Sequence, residues 1–461
     1  MVDYGNFSML YSGISFINVV YTYGLETAYF RFSASGTDQE NLFRTTFSSL
    51  LVSTFIFSIV LIFFRVELSD YIGLGTHSEY ITWCVLIVAV DTMAAIPFAR
   101  LRQEGRPRKY AFTRVAGIIV NIVLTVYLIA YYPTHRTGAA DGAFARWYDA
   151  NTNAGYLIVA NLAQSLVTFL LLYKEWIAYR FKVDVPLLKK ILLYSSPMLI
   201  VGLGGMVNET FDRIMLGKLW PGPEMEQKIV VGIYGANYKI AIVITLFIQA
   251  FKMSAEPFFF GQSTDKNAPK TYARVMKWFV ITLCLAFLFT ALYIDLWKYF
   301  IGPRYRGGLG VVPILLAANV ALGIYYNLSV WYKVTDKMYW GMIITLVGAA
   351  ITLVLNYEFI PRFGMYACAW ATFAAYATMM VISYIVGQRY FPVPYARKKL
   401  LAYMGVMLVL FFSQKLVMLL TGIVLIRLVT ATALMYAFLR LVYTVEKKEL
   451  GNMPVIGKWV K

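Results

Sequence analysis

Residues 4–30 read YGNFSMLYSGISFINVVYTYGLETAYF, and residues 234–260 read YGANYKIAIVITLFIQAFKMSAEPFFF. Tyr4-Gly5 returns as Tyr234-Gly235, Ile14 as Ile244, Glu26 as Glu256 and Phe30 as Phe260, all at a shift of 230 positions. The register persists downstream. Ile72-Gly73 is echoed by Ile301-Gly302, and Gly117, Val123-Leu124 and Ile129 by Gly348, Val354-Leu355 and Ile360. A period this long marks a duplicated structural unit rather than a short solenoid repeat.

The solvent of that unit follows from composition. The chain is 60% hydrophobic and 14% charged, whereas soluble domains are about half apolar and about a quarter charged. Apolar runs of about 20 residues recur from end to end, the length of a membrane-crossing helix. Strand-type alternation is absent and Gly/Pro clusters separate the runs, so helices rather than a barrel are expected. The fold class is therefore an all-α polytopic membrane protein. Its net charge of +18 does not indicate nucleic acid, because the cations are scattered over short loops with no soluble domain to present a groove. Cys84, Cys284 and Cys368 lie within apolar runs and offer no metal-ligand spacing. Nor do the loop residues His77 and His135, and no phosphate-binding Gly loop, nucleophile elbow or zinc motif is present.

Thirteen spans are expected, at about 7–30, 44–64, 80–100, 111–131, 154–173, 191–217, 233–257, 275–298, 310–332, 338–358, 364–387, 399–417 and 421–442. Segments after odd-numbered spans hold 29 Lys/Arg and those after even-numbered spans hold 11. The positive-inside rule then places the first set and the C-terminus in the cytoplasm, and residue 1 outside. Met1-Val-Asp-Tyr-Gly has no basic n-region and no cleavage site. The second half also opens with a helix, from Ile191, that nothing matches before Tyr4. Symmetry and charge bias together lead us to expect a fourteen-span parent whose first helix is missing here. The expected domains are an N-lobe of five helices over 1–175, a C-lobe of six over 186–390, and a terminal pair with its tail over 391–461. Two membrane-embedded halves of like layout are what alternating access is built from.

Three motifs carry a resemblance over essentially the whole chain: YGLETAYFRF at 23–32, LRQEGRPRKY at 101–110, and DRIML at 212–216 followed by VGIYG at 231–235. With them the chain resembles the bacterial polysaccharide-biosynthesis flippases, of the superfamily that includes the lipid II flippase and the multidrug and toxin extrusion transporters. The resemblance implies a V-shaped, two-lobe fold in the bacterial inner membrane. It implies translocation of undecaprenyl-pyrophosphate-linked oligosaccharide to the outer leaflet, without bond-making chemistry and without a cofactor. Membrane lipids, and a polysaccharide polymerase or glycosyltransferases, are the further partners it implies. A multidrug or cation antiporter of the same fold is the transporter alternative. A membrane polymerase or acyltransferase would be expected to carry a large outer loop or an embedded His/Asp centre, and the longest outer loop here is only about 22 residues (132–153).

Head groups cannot cross hydrocarbon bare, since each unpaired polar group costs several kcal/mol. Charges within spans are therefore the first candidates. Glu209, Asp212 and Arg213 share one helix face at i, i+3 and i+4. There Arg213 would hold phosphate, or the three would form a self-satisfied ion cluster. Lys239, a turn and a half into its span, would meet Asp212 or receive the diphosphate on release, or else snorkel; Asp91 completes the cavity candidates. Glu26 and Glu256, with the shift-related Arg102 and Lys333, are candidates for a four-charge cytoplasmic gate. Alternatively, each acid caps its own lobe against Arg31 or Lys252. Arg106, Arg108 and Lys109, from the basic run 100–114, either attract the pyrophosphate head group or serve as an orientation signal. Asp295 and Glu358 read as interfacial carboxylates, and Arg427 as a snorkelling or lobe-contact residue.

Overall fold

A computed structural model of the chain describes residues 14–72, 78–132, 153–177, 179–263 and 265–451. They form a succession of helices. Residues 14–22 form α1, followed by α2 (Leu25–Ala34), α3 (Gln39–Phe63), α4 (Arg65–Ile72) and α5 (Ser78–Gln103). Next come α6 (Pro107–Thr125), continued by a wider turn over Val126–Tyr131, then α7 (Asn153–Leu171), α8 (Tyr173–Trp176), α9 (Val185–Leu219), α10 (Glu224–Gln262), α11 (Ala268–Leu292) and α12 (Ile294–Trp297). A tight 3-10 segment, Pro303–Val311, leads into α13 (Val312–Leu328) and α14 (Val330–Val334). Four long helices close the chain: α15 (Met338–Phe363), α16 (Met365–Tyr390), α17 (Arg397–Leu420) and α18 (Val424–Gly451).

Eleven of these stretches are long and apolar enough to cross a membrane, and the apolar part of α7 is shorter, at Gly155–Leu171. Each expected span lies mainly on helix, but the first is broken at Tyr23–Gly24 and its beginning lies outside the described residues, and the last starts at Val424 rather than 421. The helices overrun their expected ends. Helix α9 starts at Val185 rather than 191, and α10 covers Glu224–Gln262 rather than 233–257. Hydropathy reports where lipid stops, whereas backbone hydrogen bonding continues until a cap ends it. Asp184 is such a cap. Its carboxylate accepts from the Leu187 amide at 3.0 Å and from Asn41 Nδ2 at 2.8 Å. The bond to Leu187 and then that to Asn41 hold its pKa below the usual carboxylate range.

The chain divides into two compact units, residues 1–206 and 207–461, with the division inside α9. The duplicated pattern packs in the same way within each. In the first unit α3 packs on α5, α5 on α7, and α6 on α7; in the second α11 packs on α13, α13 on α16, and α15 on α16. The shift-related glycines explain the last contact of each set. A Cβ on Gly117 would lie 2.5 Å from Thr168 Oγ1, and one on Gly348 would lie 2.3 Å from Met379 Sδ. Without van der Waals room there, neither helix pair could approach so closely. The break between α1 and α2 has a related cause. Gly24 takes a left-handed φ of 73°, and its Cβ position is 2.4 Å from Met198 Cβ.

The second unit also holds the terminal pair. Glu446, 2% exposed, accepts from Lys277 at 2.6 Å, Lys399 at 2.9 Å and Tyr403 at 2.8 Å. Toward the other end, buried Asp295 accepts from Lys298 at 2.6 Å and pairs with Arg427 at 3.5 Å. Arg427 also donates to the carbonyls of Met418 and Thr421. Asp295 is thus a fastening group rather than an interfacial carboxylate, and Arg427 contacts the core rather than snorkelling. Glu358, by contrast, is exposed and faces Arg362 at 3.9 Å.

Candidate functional site

Helix α10 carries the second unit's polar groups at two levels. Its Tyr234 hydroxyl donates to Asp212 Oδ2 at 2.6 Å, and its Glu256 pairs with Lys333 at 2.8 Å. Twenty-two residues separate Tyr234 from Glu256, about 33 Å along an α-helix, which is close to the hydrocarbon thickness of about 30 Å. The two sites therefore lie near opposite membrane faces.

At the first level, Asp212 is buried to 1% exposure, and its Oδ1 accepts from the Arg213 amide at 2.7 Å. The guanidinium carbon of Arg213 stands 4.3 Å from the centre of the Tyr238 ring, a cation–π geometry. Arg213 Nε is buried, with no hydrogen-bond acceptor among the described residues. Glu209 is exposed one turn away, within electrostatic reach of Arg213, Asp212 and Lys252. Asp212 thus has a donor on each oxygen, whereas the buried Arg213 Nε has no acceptor among the described residues. Tyr326 and Tyr376 lie within electrostatic reach of Glu209. Lys239 is exposed on α10.

Tyr326 connects the two levels. Lys252 Nζ lies 5.1 Å from its ring centre, and both residues line a pocket with Glu256, Lys333, Ser329 and Phe259. Glu256 and Lys333 are 9% and 8% exposed. The acid pairs with Lys333 rather than being capped by Lys252. In the first unit, Glu26 pairs with Arg102, not Arg31, and the Arg102 guanidinium sits 4.8 Å over Phe30. Each unit thus contains an ion pair between a shift-related acid and a shift-related base.

Asp91 is exposed on α5, beside Ser165 and Arg114. Of the basic-run candidates, two are committed elsewhere. Lys109 reaches both oxygens of Glu175 at 2.6 Å, and Arg106 bridges Glu104 at 3.0 Å and Glu175 at 3.3 Å. Glu175 is 7% exposed, so these cations compensate a buried carboxylate. Arg108 is exposed. Sequence reasoning missed Glu175, and its signal is slight: one acid in a basic loop. It also missed Lys252 as a site residue, and here α13 supplies what the sequence lacks, because Tyr326 and Ser329 build the pocket around it.

No group of three or more His, Cys, Asp or Glu side chains able to hold a metal ion occurs among the described residues. Known proteins place the fold. Solved structures with the same fold include the Vibrio cholerae MATE transporter VcmN in its bent form, at 13% identity and a TM-score of 0.62, with 86% of this chain and 88% of that chain covered. A MATE family transporter of the MOP superfamily in an outward-facing conformation gives 13% identity and 0.65, covering 88% of each chain. A MOP superfamily transporter from Pyrococcus furiosus gives 14% and 0.67, covering 84% and 87%. No curated protein sequence matches this chain significantly. The family model described as polysaccharide biosynthesis protein matches residues 1–261, more than half of the sequence. This multi-pass membrane chain belongs to the polysaccharide biosynthesis protein family.

Proposed function

We propose that this protein is a flippase that moves undecaprenyl-pyrophosphate-linked oligosaccharide from the cytoplasmic to the outer leaflet of the bacterial inner membrane, by alternating access and without bond-making chemistry. The family supports the polysaccharide cargo, and the MATE-type fold supports a transporter. The positive charge bias of the segments after odd-numbered spans supports a cytoplasmic C-terminus.

The observation that carries this reading is Arg213. A diphosphate crossing the hydrocarbon layer must exchange water for donors that stay ionised, and a guanidinium does so in a fork matched to phosphate oxygens. Arg213 has its carbon over Tyr238 and a buried Nε with no acceptor. The partly buried Tyr326 supplies an apolar face and a hydroxyl suited to a sugar ring. Partner enzymes that build or polymerise the sugar belong to the same reading.

The test is leaflet accessibility of undecaprenyl-linked oligosaccharide in a strain depleted of this protein and supplied with the wild-type chain or Arg213→Gln at equal expression. Wild type restores outer-leaflet cargo and the variant does not; equal restoration by both removes Arg213 from the mechanism. A cation antiporter is the second reading, favoured by the exposed carboxylates Asp91 and Glu209, one within each unit. It predicts organic-cation resistance that depends on those acids and no change in lipid-linked sugar.

A further inference from the structure

The two shift-related ion pairs differ in their surroundings, and the difference is chemical. Glu256 and Lys333 open onto a pocket that also holds Lys252 and the Ser329 hydroxyl. Two ammonium groups and one carboxylate line it. Lys252 has no carboxylate within ion-pair distance among the described residues; its close contact is the Tyr326 ring. In the first unit the position 230 residues before Lys252 is Thr22, which bonds back to the Asn18 carbonyl at 2.8 Å. The base there is an arginine that pairs with Glu26 and lies over the Phe30 ring. The second pair thus has an additional cation in its pocket, where the first unit has a threonine.

We propose that the pocket of Lys252, Glu256 and Lys333 is an anion-exchange site. A phosphate-bearing head group binds Lys252 and displaces the Glu256 carboxylate from Lys333. The pocket favours exchange over simple addition because Lys333 is already neutralised. An incoming dianion offers two lysines more charge than Glu256 gives one, while Glu256 stays beside them as an internal competitor that restores the pair once the anion leaves. Aromatic walls from Tyr326 and Phe259 lower the local dielectric and strengthen whichever pair is formed. The assignment of the cargo's diphosphate as the natural anion rests on the proposed function; binding of an anion does not.

The experiment is titration of the purified full-length chain in nanodiscs with inorganic pyrophosphate, followed by calorimetry. It is done in an Arg213→Gln background, so that the other cation contributes nothing. Adding Glu256→Gln removes the competitor and should tighten binding by about tenfold, and adding Lys252→Met should weaken it by about tenfold. Adding Glu26→Gln should leave the affinity as it was. Unchanged or weaker binding with Glu256→Gln overturns the exchange, as does an equal gain with Glu26→Gln. Were Glu256→Gln not to fold, unaltered binding with Lys252→Met would overturn the site by itself. Because the readout is not transport, this site can fail while the flippase reading stands, and the reverse.

Discussion

Lys333 donates to Glu256 at 2.8 Å inside the second unit, and its shift-related counterpart Arg102 pairs with Glu26 inside the first. The repeat conserves the pairing although the base changes from arginine to lysine. Side-chain exposures are 10% and 9% for Lys333 and Glu256, against 11% and 43% for Arg102 and Glu26. A double-mutant cycle with neutral partners, read as thermal stability in one detergent, should therefore give the larger coupling in the second unit. Exposed pairs couple by about 0.2–1 kcal/mol, and a buried lysine left alone costs about 3–5 kcal/mol. Equal couplings would show that solvent exposure does not distinguish the two sites.

Arg213 is expected to matter for transport more than for stability. Loss of a charged hydrogen bond corresponds to about 1.5–3 kcal/mol, so Arg213→Gln should slow cargo appearance in the outer leaflet roughly 10- to 150-fold. Tyr238→Leu removes the ring under the guanidinium and should cost less, about 0.5–2 kcal/mol. A Tyr238 variant slower than the Arg213 variant would contradict this order.

Glu446 joins α18 to α11 through Lys277 and to α17 through Lys399 and Tyr403. Glu446→Gln leaves the buried Lys277 with only the more exposed Glu449, at 2.8 Å, and should destabilise the second unit by about 1–3 kcal/mol. Limited proteolysis of the full chain should then release α17–α18 earlier than in wild type. Lys399, at 47% side-chain exposure, should tolerate Lys399→Gln with little change.

Asp184 titrates below its ordinary value in the folded chain, chiefly through the Leu187 amide and then Asn41. A carboxyl whose folded pKa is lowered contributes stability above its unfolded value of about 3.9. That contribution is lost as pH falls through the still lower folded pKa. Asp184→Asn should accordingly lose its deficit against wild type as the pH is taken from 6 toward 3. A stability difference that stays constant over that window would show the cap to be independent of charge.

Gly24→Ala meets two costs at once: left-handed backbone, about 1–2 kcal/mol, and contact with Met198, about 1–3 kcal/mol. Gly36 has a similar φ of 78° with nothing within 4 Å of its Cβ position, so Gly36→Ala should show the backbone cost alone. Comparable melting temperatures for the two variants would mean that the close approach of Gly24 to α9 contributes nothing.

The spans, the repeat and the charge asymmetry can be read in one dimension, because a helix in lipid must satisfy its backbone within itself and so writes its own length into hydropathy. The equivalence of Glu26 with Glu256, and of Arg102 with Lys333, was legible for the same reason: the shift is a property of the string. Which base each acid would choose was not. Arg31 and Lys252 stand nearer in sequence, yet packing of α2 on α5 and of α10 on α14 puts Arg102 and Lys333 in reach. Likewise Lys277 and Glu446 are 169 residues apart, and Lys109 and Glu175 are 66 apart. Such pairings depend on which helices become neighbours, and a side chain's partner is set by the ångström-scale approach of two surfaces rather than by the order of residues along either one.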